Sequence, residues 1–598
     1  VLREGYQLMC GIAGQIRRPG DTVSQGILDH FATAMAHRGP DGQGQWLAGN
    51  IGFVQTRLAI IDLDTGDQPL HGPKDTHLIA NGEIYNYLEL RDALAPQDWQ
   101  TRSDCEPPLI LYTRDGADFP SALRGMYAIA LHDQATGDVT LSRDPFGIKP
   151  LYVKTGSDGI SFASEPQALR DETAGAADID PVKRAELLQL QFTTGADTIF
   201  PGIQRLLPGE TLTIRGGRIA ERRRIPAWPQ NAGPALTSES EALAALDDAL
   251  MDSVGMHQRS DVPYGLFLSG GIDSTAVLAA MRRLNDKPVQ AYTAWFPETA
   301  ARDERSHART VARAAGAEMI EVAFGEDDFW SLLPQVAAAL DDPVADYATL
   351  PTWKLAATAR QDLKVVLSGE GGDELFGGYG RYRRALRHRW LGGRPMRAKG
   401  TFEGLGLLRT DLTGWRDGIA ASETAAGQRD DLTPLQRLQA VDCDDWLPHD
   451  LLTKLDRCLM ANGVEGRTPF LDPAVAAVAA RLPDGMKIQG KQGKWLLRRW
   501  LEQQMPESRP FAPKRGFTVP VGEWIAGKGR HLGELVARQP GIGQIADSQD
   551  IIRFFSSLKP EQGFAAWSLL FYALWHRRHG LGILPDDGDV FDVLAEAG

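Results

Sequence analysis

Ser269-Gly270-Gly271-Ile272-Asp273-Ser274 is the stretch on which the reading of this 598-residue chain turns. An apolar run precedes it (Val262, Tyr264, Leu266, Phe267, Leu268), and residues 275–284, rich in Ala, Leu and Met, follow it. That order predicts a strand, a turn of small residues and a helix. Such a turn presents backbone N–H groups at a helix N-terminus, where the dipole favours an anion. Gly270 and Gly271 carry no Cβ, so a phosphate can approach the backbone closely. Ser269 and Ser274 add hydroxyl donors, and Asp273 can hold a Mg²⁺ ion beside the phosphates.

No Gly-Lys-Ser/Thr closes the loop, so it is not a Walker A motif. It resembles the pyrophosphate loop of enzymes that split ATP into AMP and pyrophosphate. Further strands are predicted over 289–296, 318–322 and 364–367, with helices between them, which indicates a doubly wound α/β domain. The last of these strands runs into Ser368-Gly369-Glu370-Gly371-Gly372-Asp373-Glu374, a second Gly-rich acidic loop at a strand's C-terminal end. Ligands of open α/β sheets bind on that side. Asp341-Asp342-Pro343, Asp346 and Pro351 form an acidic loop before the intervening helix.

The N-terminal half carries different chemistry. Cys10-Gly11-Ile12-Ala13-Gly14 follows Met9, and a Cys freed at a chain start has its own α-amine as base. The amine titrates near about 7.7–8.0 and the thiol near about 8.5, so a proton can pass between them around neutrality. Then come His37-Arg38-Gly39-Pro40-Asp41-Gly42, Arg57-Leu58-Ala59-Ile60-Ile61-Asp62, Asn81-Gly82-Glu83-Ile84-Tyr85-Asn86, Ser103-Asp104-Cys105-Glu106 and Arg143-Asp144-Pro145-Phe146-Gly147-Ile148-Lys149-Pro150. Taken with Cys10, this series resembles the glutamine amidotransferase domain of the N-terminal-nucleophile type. The resemblance implies that Arg57 binds the glutamine carboxylate as a fork. It implies that Asp104, helped by Glu83, takes the ammonium, and that Asn81 (side-chain amide) and Gly82 (backbone N–H) form the oxyanion hole. Short strands over 52–59, 76–80, 127–132, 139–142 and 151–153 agree with antiparallel sheets. His37 and His132 are read as structural.

Residues 1–9 precede the nucleophile. Translation starting at Met9 is the favoured explanation; a cleaved propeptide and a loss of activity are the others.

Composition sets outer bounds. A chain of this length needs more than one core. A net charge of −14 without a basic run argues against a nucleic-acid partner. Cys10, Cys105, Cys443 and Cys458 show no CxxC spacing, which fits a reducing, cytoplasmic compartment. The apolar run at 564–575 is too short to span a bilayer and is expected to be a buried helix, so no membrane partner is expected.

The two Gly-rich loops together are specific to the asparagine synthetase superfamily, and from Met9 onward the chain resembles glutamine-hydrolysing asparagine synthetases. The resemblance implies that Leu268, Ser269, Gly270, Gly271, Asp273, Ser274, Ser368 and Gly369 meet ATP. Asp273 and Asp373 would hold Mg²⁺, and Glu370 would deprotonate the attacking nitrogen. Lys494 would bind pyrophosphate, and Ala294 would meet the adenine through its backbone, although Trp295 stands where a small residue is usual. Glutamine, ATP and aspartate are the implied substrates, with ammonia passing internally between two sites; a homodimer is compatible. Lys514-Arg515-Gly516-Phe517 resembles a segment bordering the acceptor site. Trp446 to Arg457 and Glu465 to Asp472 are read as scaffold helices, and residues 380–440 as irregular.

The expected fold is α/β and α+β: an αββα N-terminal-nucleophile sandwich, then a parallel-sheet pyrophosphate-loop domain. The expected division is a leader or mis-assigned start at 1–9, an amidotransferase domain at 10–226, a linker at 227–240 and a synthetase domain at 241–598. Within that reading, residues 222–229 already belong to the linker. Two other readings remain: a superfamily amidotransferase acting on a sugar acid, peptide or other carboxylate, or a non-catalytic relative.

Overall fold

The structure is a computed structural model and describes residues 10–39, 41–170, 176–230, 232–297, 299, 305–409, 412–513, 519–584 and 588–596. The expectations for residues 1–9 and for Lys514-Arg515-Gly516-Phe517 concern segments outside these.

Two antiparallel sheets are stacked in the N-terminal half. One has the order β10-β8-β9-β1-β3-β2, from Ile203–Arg205, Tyr152–Thr155, Gly159–Ala163, Gly11–Arg17, Ile51–Arg57 and Gly42–Ala48. The other has the order β12-β11-β7-β6-β5-β4, from Arg218–Arg224, Glu210–Arg215, Asp138–Arg143, Gly125–Asp133, Thr76–Ile84 and Leu70–Gly72. Alternation along each strand divides the side chains between two faces. Ile12 and Ile16 of β1 join Phe53, Ile79, Leu141 and Leu212 between the sheets. Ala13, on the opposite face, packs with Leu28 and Phe31 of the helix Gln25–Ala34. The second sheet's outer face is covered by Leu109 of the helix Pro107–Asp115, against Leu78 and Ile129. The result is the expected αββα sandwich. Arg222, Arg223 and Arg224, expected in a linker, instead pair along β12 with Leu212, Thr211 and Glu210. Alternation is weak there because the strand lies at a sheet edge and is largely exposed.

The second half is built on five parallel strands in the order β15-β14-β13-β16-β17. They are Glu318–Ala323, Gln290–Trp295, Tyr264–Phe267, Val365–Leu367 and Glu465–Arg467. The chain leaves β13, winds outward through β14 and β15, then returns to the other side of β13 as β16. The β13/β16 boundary is therefore a topological switch point, where loops diverge and leave a crevice. Both Gly-rich loops sit on this crevice. Glu465–Arg467, expected among scaffold helices, is the edge strand β17; three residues are too short for a period to show. Residues 380–440, expected to be irregular, contain the helices Gly380–Ala385 and Asp417–Gly427, and Pro434–Val441 follows. The helix Gly563–Trp575 is buried as expected, its Trp567 and Trp575 indoles donating to the Ala345 and Leu340 carbonyls at 2.6 and 2.8 Å. No described helix is long and apolar enough to cross a membrane.

The halves meet across buried ion pairs. Arg457 reaches Asp341 at 3.0 Å, Asp456 at 3.2 Å and Glu165 at 3.5 Å. Arg38 donates to Glu165 at 2.7 Å and Asp456 at 3.1 Å. Asp342 receives Arg205 and the Tyr152 hydroxyl, the latter at 2.8 Å. Asp341 and Asp342, read from sequence as part of an acidic loop, are thus interface groups. Removing one partner of a buried pair strands the others in a medium that solvates them poorly. Arg457→Met is expected to destabilise the protein by about 3–5 kcal/mol, measured as a lowered denaturant midpoint.

Candidate active sites

The first site forms where β1 begins. Cys10 is partly buried; its Sγ donates to the Leu58 carbonyl at 3.4 Å and accepts from the Leu58 N–H at 3.2 Å. Burial pushes the thiol up to about 12, opposed by the Leu58 hydrogen bond. A thiol in that state needs a base before it can attack. The Cys10 carbonyl is held by Arg38 Nε at 3.1 Å, so Arg38 fixes the backbone at Cys10. His37 pairs with Glu165 at 2.9 Å.

Asn81 and Gly82 lie on β5. The Asn81 amide nitrogen reaches Ser164 Oγ at 3.4 Å, while its Oδ1 is buried without a hydrogen-bond partner. Gly82 has φ +147°, and a Cβ there would meet the Met126 carbonyl oxygen at 2.0 Å. Only glycine fits. Asp104 accepts from the Ile84 N–H at 2.7 Å. Burial raises Asp104 to about 6, and burial together with Asp104 raises Glu83 well above the carboxylate range. A cation arriving between them would restore both charges. Arg57 Nη1 donates to exposed Asp67 at 2.7 Å and Nη2 to the Asp62 carbonyl at 2.5 Å, so one arm of its fork is held by Asp67 and the other by backbone.

The second site is a cavity of about 740 Å³ at the switch point, lined by Leu268, the residues 269–274, Ala294, Ser368, Gly369, Glu370, Asp373 and Lys494. It therefore gathers the sequence-predicted nucleotide-site residues. The two loops touch through backbone: a Cβ on Gly369 would meet the Ser274 nitrogen at 2.7 Å. Ser274 caps the first loop, its Oγ 3.1 Å from Ser269 Oγ and 3.2 Å from the Ser269 nitrogen. Lys494, with left-handed backbone (φ +57°), bridges Asp273 and Asp373, the latter at 2.8 Å. Burial works against its charge, but the two carboxylates prevail and raise it. Glu370 is raised by burial, with Lys454 opposing. Trp295 lines the cavity under Arg305, whose guanidinium sits 3.6 Å from the ring centroid.

The donor set suits Mg²⁺. Asp273 and Asp373 converge on one ammonium group, and the glycines beside them leave room: a Cβ on Gly372 would meet Asp273 Oδ1 at 2.3 Å, and one on Gly378 would meet Asp373 Oδ1 at 1.7 Å. Among the described residues no group of three or more His, Cys, Asp or Glu could hold a metal. Two carboxylates completed by substrate phosphates is the arrangement magnesium commonly takes.

Several cavity residues escaped sequence reading: Asp346 and Tyr347 of the acidic loop, Tyr379, and Trp446 and Lys454 from the presumed scaffold. Trp446 lies in the π-helix Asp442–Leu452 and Lys454 in the α-helix Thr453–Met460 that continues it. Their helical spacing signals packing, and nothing local tells which face meets a cavity.

The sites are joined by Arg467 of β17. Its carbonyl accepts the Ser368 N–H at 2.8 Å. Its guanidinium donates to Glu465 at 2.7 Å, to the His257 and Arg259 carbonyls at 2.9 and 2.7 Å, and lies 3.5 Å from Glu83.

Comparison with known proteins adds family information. A family model described as asparagine synthase matches residues 245–577, and one described as a glutamine amidotransferase domain matches 9–224. A putative asparagine synthetase [glutamine-hydrolyzing] of Mycobacterium tuberculosis (strain ATCC 25618 / H37Rv) is 35% identical over 95% of this chain and 97% of its own. Asparagine synthetase [glutamine-hydrolyzing] 1 of Bacillus subtilis (strain 168) is 30% identical over 95% and 96%. Asparagine synthetase B [glutamine-hydrolyzing] of Escherichia coli (strain K12) is 30% identical over 86% and 83%.

Proposed function

The chain belongs to the asparagine synthase family, and from that premise we propose that it makes asparagine from aspartate, with glutamine as nitrogen donor and ATP as energy source. The observation that carries the reading is the pair of Gly-rich loops facing each other across the switch point, with Lys494 between Asp273 and Asp373.

In this reading the chain is divided into an amidotransferase part (10–226) and a synthetase part (241–598). Cys10, with a free α-amine as base, attacks the glutamine side-chain amide and forms a γ-glutamyl thioester, releasing ammonia. Asn81 and the Gly82 N–H stabilise the oxyanion. Asp104 and Glu83 take the glutamine ammonium; Arg57 exchanges Asp67 for the glutamine carboxylate. At the second site the loop backbone around Gly270 cradles phosphate, and Ser274 supplies a hydroxyl. Ser368 and Gly369 border the nucleotide, and the Ala294 backbone meets the adenine. The aspartate β-carboxylate attacks the α-phosphorus, and pyrophosphate leaves toward Lys494. Asp273 and Asp373 would hold Mg²⁺, which neutralises phosphate charge when bound. Glu370 removes a proton as ammonia displaces AMP. Arg467, touching both sites, keeps them in register for ammonia passage sheltered from water. A homodimer working in the cytoplasm belongs to the same reading.

The test is pyrophosphate release by protein starting at Cys10, with Mg-ATP and glutamine, with and without aspartate. Aspartate-dependent release with equimolar asparagine supports the reading. Glutamine hydrolysis without such release rejects aspartate as acceptor.

A further inference from the structure

The outer face of the first antiparallel sheet changes character along its length. On β1 the outward positions are Ala13, Gln15 and Arg17, opposite Ala163, Ser161 and Gly159 of β9. Ala13 and Ala163 lie in the apolar core under the helix Gln25–Ala34. Gln15 donates to Ser161 Oγ at 3.2 Å, and Lys154 of β8 stands opposite Ser161 in turn. The sheet is therefore polar where the helix ceases to cover it. A cavity of about 500 Å³ opens there, a volume in the range of small-molecule sites. It belongs to the N-terminal half, and no residue of either catalytic site lines it.

The wall combines apolar surface with positive charge. Ile27, Phe31, Ala168 and Leu169 supply the first; Arg17, Lys154 and Arg170 supply the second, against the single carboxylate of Asp158. The chain as a whole carries a net charge of −14, so this excess of cations is local. Arg17 is fixed by its backbone, which donates to the Asn50 carbonyl and accepts from the Asn50 side chain, both at 2.8 Å. Its Nη2 meets Asp158 at 3.3 Å with side-chain exposures of 30% and 53%, a solvent-screened pair of small worth. Its Nε is buried with no hydrogen-bond partner. A buried donor left unmade is costly until a ligand completes it. Lys154 Nζ donates to the Leu169 carbonyl at 2.9 Å, which leaves two of its three N–H groups for a ligand. His30 Nε2 lies 3.2 Å from the Ala168 carbonyl, so that nitrogen carries the proton. The Arg170 guanidinium sits over the Phe200 ring, 4.6 Å from its centroid. A concave wall with one sign of charge concentrates counter-ions of the other sign.

We propose that this cavity is a binding site for a small organic anion, with a phosphate or carboxylate head on Arg17 and Lys154 and an apolar body against Ile27, Phe31 and Leu169. The one carboxylate in the wall, Asp158, is already on Arg17, so nothing stands ready for an ammonium group and a zwitterion fits poorly. A bare inorganic anion leaves the apolar surface in water. The site goes beyond the glutamine and aspartate chemistry and depends on neither.

The test titrates phenyl phosphate, benzoate and the cation benzamidine into the full chain and follows the heat of binding. At least one of the two anions is expected to saturate one site per chain below about 5 mM; benzamidine is expected not to bind. The preference between the two anions identifies the head group. The bare heads, phosphate and acetate, are expected to bind at least about tenfold more weakly. Lys154→Glu, at an exposed position, and Arg17→Gln are each expected to weaken binding by about tenfold. Asp158→Asn is expected to tighten it about threefold, a gain that misfolding cannot imitate. Lys494→Met, in the cavity at the switch point, is expected to leave it unchanged. No saturable binding of either anion, equal binding of benzamidine, or unchanged affinity in all three variants of this wall overturns the site. Bare heads that bind as tightly as the aromatic anions overturn the ligand class. Binding that is lost in Lys494→Met and kept in the wall variants belongs to the other cavity and overturns the site too.

Discussion

Lys494→Met is expected to lower aspartate-dependent pyrophosphate release by about 10³-fold in kcat/KM, equivalent to ~4 kcal/mol of transition-state stabilisation. The reason is position. Lys494 is buried between the Gly-rich loops with its ammonium on both Asp273 and Asp373. Negative charge moves toward it when the bond between the α- and β-phosphates breaks, and methionine keeps the stem but offers no donor. Burial opposes the lysine's charge, and the two carboxylates raise its pKa. Lys494→Arg is expected to recover little. The Gly378 backbone closes on the lysine stem so tightly that a Cβ there would meet Lys494 Cε at 2.3 Å, leaving no room for a planar guanidinium. Glutamine hydrolysis by the same preparation serves as the folding control. A loss of less than tenfold would remove Lys494 from the chemistry.

Cys10→Ala is expected to eliminate glutamine-dependent synthesis, by about 10⁴-fold or more, while synthesis from added ammonium salt continues. Alanine removes the only group that forms the thioester and leaves the second cavity untouched. The pH profile distinguishes which group acts as base. Burial holds the thiol at about 12, so its own ionisation lies above the working range. An α-amine must be neutral to accept the thiol proton, so activity is expected to rise with pH through about 7.7–8.0 and then level off. Protein carrying residues 1–9 lacks that amine, and its glutamine-dependent rate is expected to match that of Cys10→Ala. Comparing the two chain starts in a glutaminase assay checks this directly.

The fold class was legible because both halves carry strong local signals. In the first half, short runs separated by turns, such as those around Phe53 and Ile129, announce strands; both strands are buried on both faces because each sheet packs on the other and under a helix. In the second, apolar runs that end in Gly-rich turns and are followed by helical runs announce parallel strands. The loops themselves were legible for a steric reason. Gly82, Gly369 and Gly378 each stand where a Cβ would strike a neighbour, so the chemistry leaves glycine in the sequence as its mark. The edge strand β17 was not legible, since Glu465-Gly466-Arg467 is too short to show a period. Nor was the helical character of 380–440, whose arginines mask the apolar contacts of Tyr382, Met396 and Leu435.

Residue types and spacing along the chain thus determined which groups can do chemistry: a cysteine able to become an N-terminus, an Asn-Gly pair, and two acidic Gly-rich loops. Local rules of turn, strand and helix suffice for these, because each motif is contiguous. Which other side chains enter the sites was decided by tertiary packing alone. Lys454 and Asp346 are separated by more than a hundred residues and pair at 2.8 Å. Arg467 reads as an ordinary charged residue until β17 docks beside β16 and brings its guanidinium within 3.5 Å of Glu83. A long-range ion pair has no periodicity to betray it; it exists only where the folded core removes water and leaves the two charges each other.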